Sequence, residues 1–281
     1  MRVLITGAAG GVGGNVIEQL RDTGIAVRAT CRHPRNDAHW SWTEIVASDL
    51  TRPDTMRPAL KGVDAVFLYS FPGPQALDGL VSEMKSAGVT KVVVLSTIDT
   101  TRTEAFVEYN KRRHLAVENA VQGGGFTFAC LRPGAFARNA LRFWADQIRI
   151  DRRVRLPFPE SKQAPIADED IAAVAVHALT SDHLDGRKVV LTGPQSLTMR
   201  QQVGLISQAI GQPIDVTVVS EDEARALYGR VLPREYLDLL MGQWAFEVSE
   251  DAVVTSGVED ITGRAPIDYL SWANTRRDQF T

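Results

Sequence analysis

The glycine-punctuated stretch at the N-terminus constrains this chain more than any other: Met1-Arg-Val-Leu-Ile-Thr-Gly7-Ala-Ala-Gly10-Gly-Val-Gly13-Gly. A short apolar run, Val3 to Ile5, leads into Gly7, Gly10 and Gly13, and the amphipathic pattern Val16-Ile17-Glu18-Gln19-Leu20 follows. That order reads as strand, tight turn and helix start. Glycine is needed in such a turn wherever a side chain would block the turn itself, the approach of a pyrophosphate, or the helix-to-strand contact. The first N–H groups of the helix, at the positive end of its dipole, then face the phosphates. A glycine turn can also exist without a ligand. The strand before it and the helix after it favour dinucleotide binding, and the missing Lys-Ser/Thr excludes a P-loop.

Composition narrows the class. With 281 residues, 44% of them hydrophobic, the chain can bury one large core with a small appendage. A formal net charge of −3 leaves no basic footprint, so nucleic acid is not an expected partner. Cys31 and Cys130 are far apart and form neither a redox pair nor a zinc-ligand cluster. Both lie in apolar runs, which predicts buried thiols, no metal site and a reduced, intracellular protein. No secretory pattern precedes the first strand, and no apolar run approaches the roughly twenty residues that cross a bilayer. The cytoplasm is the expected compartment.

Beyond the first helix, strands alternate with helices. Ile25 to Cys31, Glu44 to Leu50, Asp64 to Ser70 and Lys91 to Ser96 read as strands, with helices over 54–60 and 75–87. This rhythm predicts an α/β fold, a doubly wound parallel Rossmann-type sheet of about seven strands, with a small α/β C-terminal substrate subdomain. The second strand should end beside the adenine ribose. The acid that usually selects NAD is missing there, and Arg32 and Arg35 stand in its place. A guanidinium matches a ribose 2′-phosphate, which points to NADP(H), although Arg32 also fits the description of a solvated loop arginine. Tyr69, Ser70 and Phe71, and after the next strand Ser96 and Thr97, fall at the carboxyl edge where ligands of such sheets lie.

Thr6-Gly7-Ala8-Ala9-Gly10-Gly11-Val12-Gly13 resembles the T-G-x-x-G-x-x-G signature of extended and atypical short-chain dehydrogenase/reductases. The resemblance implies that Gly7, Ala9, Gly10, Gly11, Val12 and Gly13 face the cofactor. His114-x-x-x-Glu118, Gly124-Gly125 and Leu131-Arg-Pro133-Gly-Ala-Phe136-x-x-Asn139 narrow it to the NmrA-like group, over residues 1 to about 175. By the same resemblance Asp49 and Leu50 flank the adenine, and Pro133 and Phe136 lie beside the nicotinamide. Arg132 is expected to fasten its strand end by a salt bridge.

Short-chain dehydrogenases of the common type carry Tyr-x-x-x-Lys on the helix that here spans about Glu104 to Gln122, and no such pair exists there. Aligning Glu118 with the glutamate that often follows the family's lysine puts His114 in the lysine position and Asn110 in the tyrosine position. Tyr109 is one residue off, rotated about 100° around the helix. His114, Asn110 and Ser96 are the catalytic candidates. His114 serves equally well as a proton donor, a ribose contact, or a histidine held at the helix–sheet seam.

The expected division is an NAD(P)-binding domain over 1–155, completed by about 164–194, and a substrate-binding subdomain over 195–281. Residues 140–148 and 164–179 read as helices, the latter capped by Asp168 and Asp170. Residues 152–163 alternate basic with apolar residues and hold two prolines, and Tyr228, Tyr236, Met241, Trp244 and Phe246 read as core more readily than as the lining of a pocket for a flat apolar molecule. The functional expectation is an NADPH-dependent reductase passing hydride to a small apolar or aromatic acceptor such as a quinone, enone, ketone or imine. It would work on a small-molecule substrate as a monomer or homodimer, with no nucleic acid or membrane. The alternative is an NADP(H)-binding redox sensor of the NmrA type without turnover.

Overall fold

The computed structural model describes residues 1–32, 42–69, 73–230 and 232–281. In chain order the elements are β1 (Arg2–Ile5), α1 (Gly11–Leu20), β2 (Ala26–Cys31), β3 (Glu44–Ala47), α2 (Arg57–Leu60), β4 (Ala65–Tyr69), α3 (Pro74–Ser86) and β5 (Lys91–Leu95). Then come α4 (Glu108–Gly123), β6 (Thr127–Pro133), α5 (Asn139–Phe143), α6 (Ala145–Asp151), β7 (Arg153–Leu156), β8 (Lys162–Gln163), α7 (Asp168–Thr180) and β9 (Lys188–Leu191). The last are β10 (Leu197–Thr198), α8 (Met199–Ile210), β11 (Asp215–Val218), α9 (Glu221–Tyr228), α10 (Arg234–Phe246), α11 (Gly257–Thr262) and α12 (Tyr269–Asn274). Among the described residues no helix is long and apolar enough to cross a membrane.

The chain divides into two compact units. The first comprises Met1–Thr100, Lys111–Pro133 and Asp168–Val190. Its centre is a seven-stranded sheet in the order β3-β2-β1-β4-β5-β6-β9. The pairs from β3 through β6 are all parallel, with Val3 opposite Val27 on one side and Ala65 on the other. β4 and β5 are continuous apolar runs because both their faces are covered, as parallel sheets require. On one face Leu4, Val66, Leu68, Val92 and Val94 pack with Leu60, Leu80, Met84 and Val121. Elsewhere α1 packs against α7, and Gln19 Nε2 donates to the Glu169 carbonyl at 3.0 Å.

The second unit comprises Thr101–Asn110, Gly134–Ala167 and Leu191–Thr281. Its core gathers Phe143, Trp144, Ile148, Leu156, Val203, Tyr228, Trp244, Trp272 and Phe280. Two small sheets trim it: β7 runs parallel to β11, and β8 runs antiparallel to β10. Tyr228, Met241 and Trp244 are buried as expected, whereas Phe246 is 38% exposed.

Several sequence-based expectations differ from the structure. The basic and apolar alternation noted after Arg152 is given a place as a strand over Arg153–Leu156, with Val154 and Leu156 buried at the two-residue period of a one-sided sheet. The helix expected over 140–148 is interrupted at Trp144, where φ is −120° and the indole is 3% exposed. The helix expected over 54–60 is a 3-10 turn, Pro53–Met56, followed by one α turn. Cys31 is only half-buried because it is the last residue of its strand, while Cys130 is buried in mid-strand.

Candidate functional site

Parallel pairing from β1 to β6 puts the carboxyl ends of those strands on one edge of the first unit. Gly7 follows β1, Arg32 follows β2, Asp49 and Leu50 follow β3, Tyr69 closes β4, Ser96 and Thr97 follow β5, and Pro133 closes β6. Open parallel sheets bind ligands at this edge, where the strand order reverses. In the observed order that point lies between β1 and β4.

The glycine turn is built there with no room for side chains. Gly7 has φ +66°, and a Cβ on it would sit 2.9 Å from Cβ and Cγ of Tyr69. Gly10 N–H donates to the Gly7 carbonyl at 2.9 Å, which closes the turn. A Cβ on Gly13 would stand 2.4 Å from that same carbonyl oxygen, so α1 and the turn interlock backbone to backbone. The N-cap residue of α1, Gly10, contributes no side-chain cap, and its first turn holds no acid. The N–H groups of Gly11, Val12 and Gly13 therefore stand outside the helical ladder and address an anion. By contrast, α8 and α9 each close their N-terminus with a complete capping box, Thr198 with Gln201 and Ser220 with Glu223. The α1 terminus fits a dinucleotide diphosphate in shape and in charge.

At the neighbouring strand ends, Asp49 is fixed by its backbone: its N–H donates to Thr55 Oγ1 at 2.9 Å. Its carboxylate accepts from the Thr51 N–H at 2.9 Å and the Thr51 hydroxyl at 2.8 Å. These bonds, with the charges of Arg32 and Arg52, hold the Asp49 carboxyl below its ordinary range. Arg32 is exposed at this edge and Leu50 is half-buried. Arg35, Ser70 and Phe71 lie outside the described residues. Thr97 accepts the Asp99 N–H on its hydroxyl at 3.3 Å.

Behind β5 and β6 lies a charged cluster. Glu118 on α4 is fully buried and accepts from Ser96 Oγ at 2.6 Å, Arg132 Nε at 2.9 Å and Arg132 Nη2 at 2.6 Å, with Lys188 Nζ 3.3 Å away. Burial alone would raise its pKa; the bonds from Arg132 and Ser96 outweigh that and leave the carboxyl lower than usual. The Ser96 hydroxyl is thus given to a carboxylate, and Arg132 ties its strand end to α4. Burial, with Glu118 nearby, pushes the Cys130 thiol up to about 12, so it is inert.

His114 lies one turn before Glu118 on α4 and is 7% exposed. Burial, and then the charge of Arg113, bring it down to about 4 against the pull of Glu118, so its imidazole is neutral at physiological pH. Asn110, half-buried, and Phe136, bridged to Ile166, belong to the second unit. The strand-edge residues above are therefore brought to one edge, while Asn110 and Phe136 are carried by the other unit. Sequence reasoning missed the roles of Glu118 and Lys188. The sequence offers Glu118 as a motif residue beside His114, and no spacing links it to Ser96, Arg132 and Lys188.

Residues 7–182 match the NAD(P)H-binding family. A reductase of (4-alkanoyl-5-oxo-2,5-dihydrofuran-3-yl)methyl phosphate from Streptomyces griseus is 31% identical over 281 residues, covering 99% of each chain. An NAD(P)H azoreductase from Xenophilus azovorans is 28% identical and covers 99% of each chain. Among solved structures, the negative transcriptional regulator NmrA in complex with NADP superposes with a TM-score of 0.74 at 14% identity, covering 97% of this chain and 94% of that one. The chain belongs to the NAD(P)H-binding family, and it is similar to NmrA-like proteins, among them an NmrA-like oxidoreductase of Aspergillus flavus at 24% identity. By class it is an NAD(P)H-dependent oxidoreductase, and the expectation of NADP(H) as cofactor agrees with the family's ligand.

Proposed function

We propose that the chain is an NADPH-dependent reductase whose acceptor is a small conjugated molecule, such as an enone, quinone or imine, in preference to a simple ketone. The carrying observation is the state of the proton donors. His114 is buried and neutral, and the Ser96 hydroxyl is committed to Glu118. Neither is poised as the charged acid that would trap an alkoxide. Reduction of a conjugated acceptor spreads the new charge to a distant heteroatom, where water supplies the proton. The bound nicotinamide supplies the hydride, and the protein supplies orientation and charge.

In this reading the N–H groups around Gly7 to Gly13 hold the diphosphate, Arg32 and Arg35 the 2′-phosphate, and Asp49 and Leu50 the adenine. Tyr69, Thr97 and Pro133 lie on the nicotinamide half. His114 holds the ribose through a neutral N–H, and Asn110 contacts substrate. The Streptomyces relative, named for a dihydrofuranone substrate, supports a conjugated acceptor. The enzyme works in the cytoplasm as a monomer or homodimer, without nucleic acid or membrane.

The test follows NADPH absorbance with 1,4-naphthoquinone, a butenolide and cyclohexanone as acceptors. Consumption with the first two and not the third is expected. Equal rates with cyclohexanone would overturn the argument from proton donors. Tight NADPH binding with no consumption on any acceptor would favour the redox-sensor reading. Arg32→Ala should weaken NADPH at least about tenfold and leave NADH unchanged, as loss of a phosphate contact implies.

A further inference from the structure

We infer that His177 and His183 form a site for a divalent transition-metal ion, such as zinc, nickel or copper, on the turn that joins α7 to β9. His177 Nε2 and His183 Nδ1 face each other at 3.2 Å. Two imidazole nitrogens about 2.0–2.1 Å from one zinc ion at the tetrahedral angle stand about 3.3 Å apart. The pair thus has the spacing of two ligands on a single ion, and both lone pairs converge on it once the two rings turn off the line that joins their nitrogens. Without metal the two nitrogens share one hydrogen bond. A tautomer change in the donor ring moves its proton to the far nitrogen and frees both lone pairs for the ion, with no net proton loss.

Both backbones are held. The Ser181 N–H and hydroxyl donate to the His177 carbonyl at 3.0 and 2.9 Å. His183 is bracketed by the Asp185 N–H to Asp182 carbonyl bond, 3.0 Å, and by Leu184, 2% exposed. The Gly186 N–H donates to the Phe128 carbonyl at 2.7 Å, which fastens the turn to β6. Two ligands on fixed backbones lose little freedom on binding.

Charge favours a cation here. His177 is in the last turn of α7, at the negative end of the helix dipole. That end already holds a cation: Lys91 Nζ donates to the Ser181 carbonyl at 2.6 Å and pairs with the Asp185 carboxylate at 2.6 Å. Asp185 balances Lys91, while Asp182 and Arg187 are the other charged groups on the turn. Among the described residues no group of three or more His, Cys, Asp or Glu is placed to hold a metal, so solvent completes the coordination. Imidazole donors select zinc, copper and nickel over magnesium or calcium. The ion would clip the α7 end to its following turn and so brace the helix that packs on α1.

The experiment is calorimetric titration of the untagged full-length chain with zinc and nickel chloride, alongside His177→Ala, His183→Ala and the double variant. One ion per chain is expected, at least tenfold weaker in either single variant and absent in the double, with a wild-type melting temperature that rises with zinc and falls back with chelator. A copper-loaded sample should show coupling to two nitrogens by electron paramagnetic resonance. His183 is exposed, so His183→Ala tests the site without disturbing the fold. No saturable binding, or binding of unchanged strength in both single variants, would overturn the site. The second outcome would place the ion elsewhere in the chain.

Discussion

Glu118 in the first unit is fully buried and Glu247 in the second is half-buried; both carboxylates tie separated stretches of chain together, yet their partners differ in kind. Glu118 meets two cations, Arg132 at 2.6 Å and Lys188 at 3.3 Å, besides the Ser96 hydroxyl. Glu247 accepts from Gln243 Nε2 at 2.7 Å, Gln163 Nε2 at 3.1 Å and Ser161 Oγ at 3.1 Å, with Arg102 only as near as 3.6 Å. The pKa of Glu118 is lowered; that of Glu247 is raised, because burial outweighs its neutral donors. A buried carboxylate is therefore held in its charged form by cations in contact more than by the number of its hydrogen bonds.

The largest effect expected from this contrast is in Glu118→Gln. The substitution leaves Arg132 and Lys188 without a counter-charge, and removing one partner of a buried ion pair costs about 3–5 kcal/mol. Urea denaturation should show that loss. A change below about 1 kcal/mol would mean the cations find other anions, and the contrast with Glu247 would collapse. Glu247→Gln should cost less, about 1–3 kcal/mol, because one carboxylate oxygen becomes an amide that meets donors. An equal cost in the two variants would show that donor geometry, not charge, governs both clusters.

The pH dependence separates them by sign. With a folded pKa below its unfolded value, near 4.5, Glu118 contributes stability that is present above that pH and is lost as pH falls through the folded value. With a folded pKa above its unfolded value, Glu247 contributes stability that is present at acid pH and is lost as pH rises through the folded value. Between about pH 3 and pH 7, removing Glu118 should flatten the acid-induced loss of stability and removing Glu247 should steepen it. Matching slopes in the two variants would contradict the assigned directions.

The same contrast shows what a sequence carries. The sheet of the first unit was legible because its strands are unbroken apolar runs and its turn demands glycine at Gly7, Gly10 and Gly13, all local signals. Arg132 could be expected to fasten its strand, but its partner could not be named. Glu118 is fourteen residues from Arg132 and seventy from Lys188, and only the sheet order brings them together. The second unit was less legible. Its small sheet pairs Arg153–Leu156 with Asp215–Val218 across sixty residues, and the Glu247 cluster draws on Arg102, Ser161 and Gln163. The strand-edge residues were found because position along a parallel strand fixes the edge; the state of their protons was not, since burial at His114 is set by packing.

The smallest expected effect asks whether contact with a cation is the deciding variable. Arg102 is divided among several partners: its guanidinium bonds Glu104 Oε1 at 3.1 Å and lies 5.1 Å from the Phe106 ring and 5.5 Å from the Phe246 ring. This arrangement keeps it 3.6 Å from Glu247. In Arg102→Lys the planar fork and much of the stacking are lost, at about 0.5–1 kcal/mol, but a compact ammonium is free to approach Glu247. If contact decides, the Glu247 carboxyl should then titrate lower than in the wild type, read from its carboxyl carbon shift by NMR, while overall stability changes little. If the carboxyl stays raised with a lysine beside it, then the depth of burial around Ser161 and Gln163 sets its charge, and the two glutamates differ in solvation before they differ in partners.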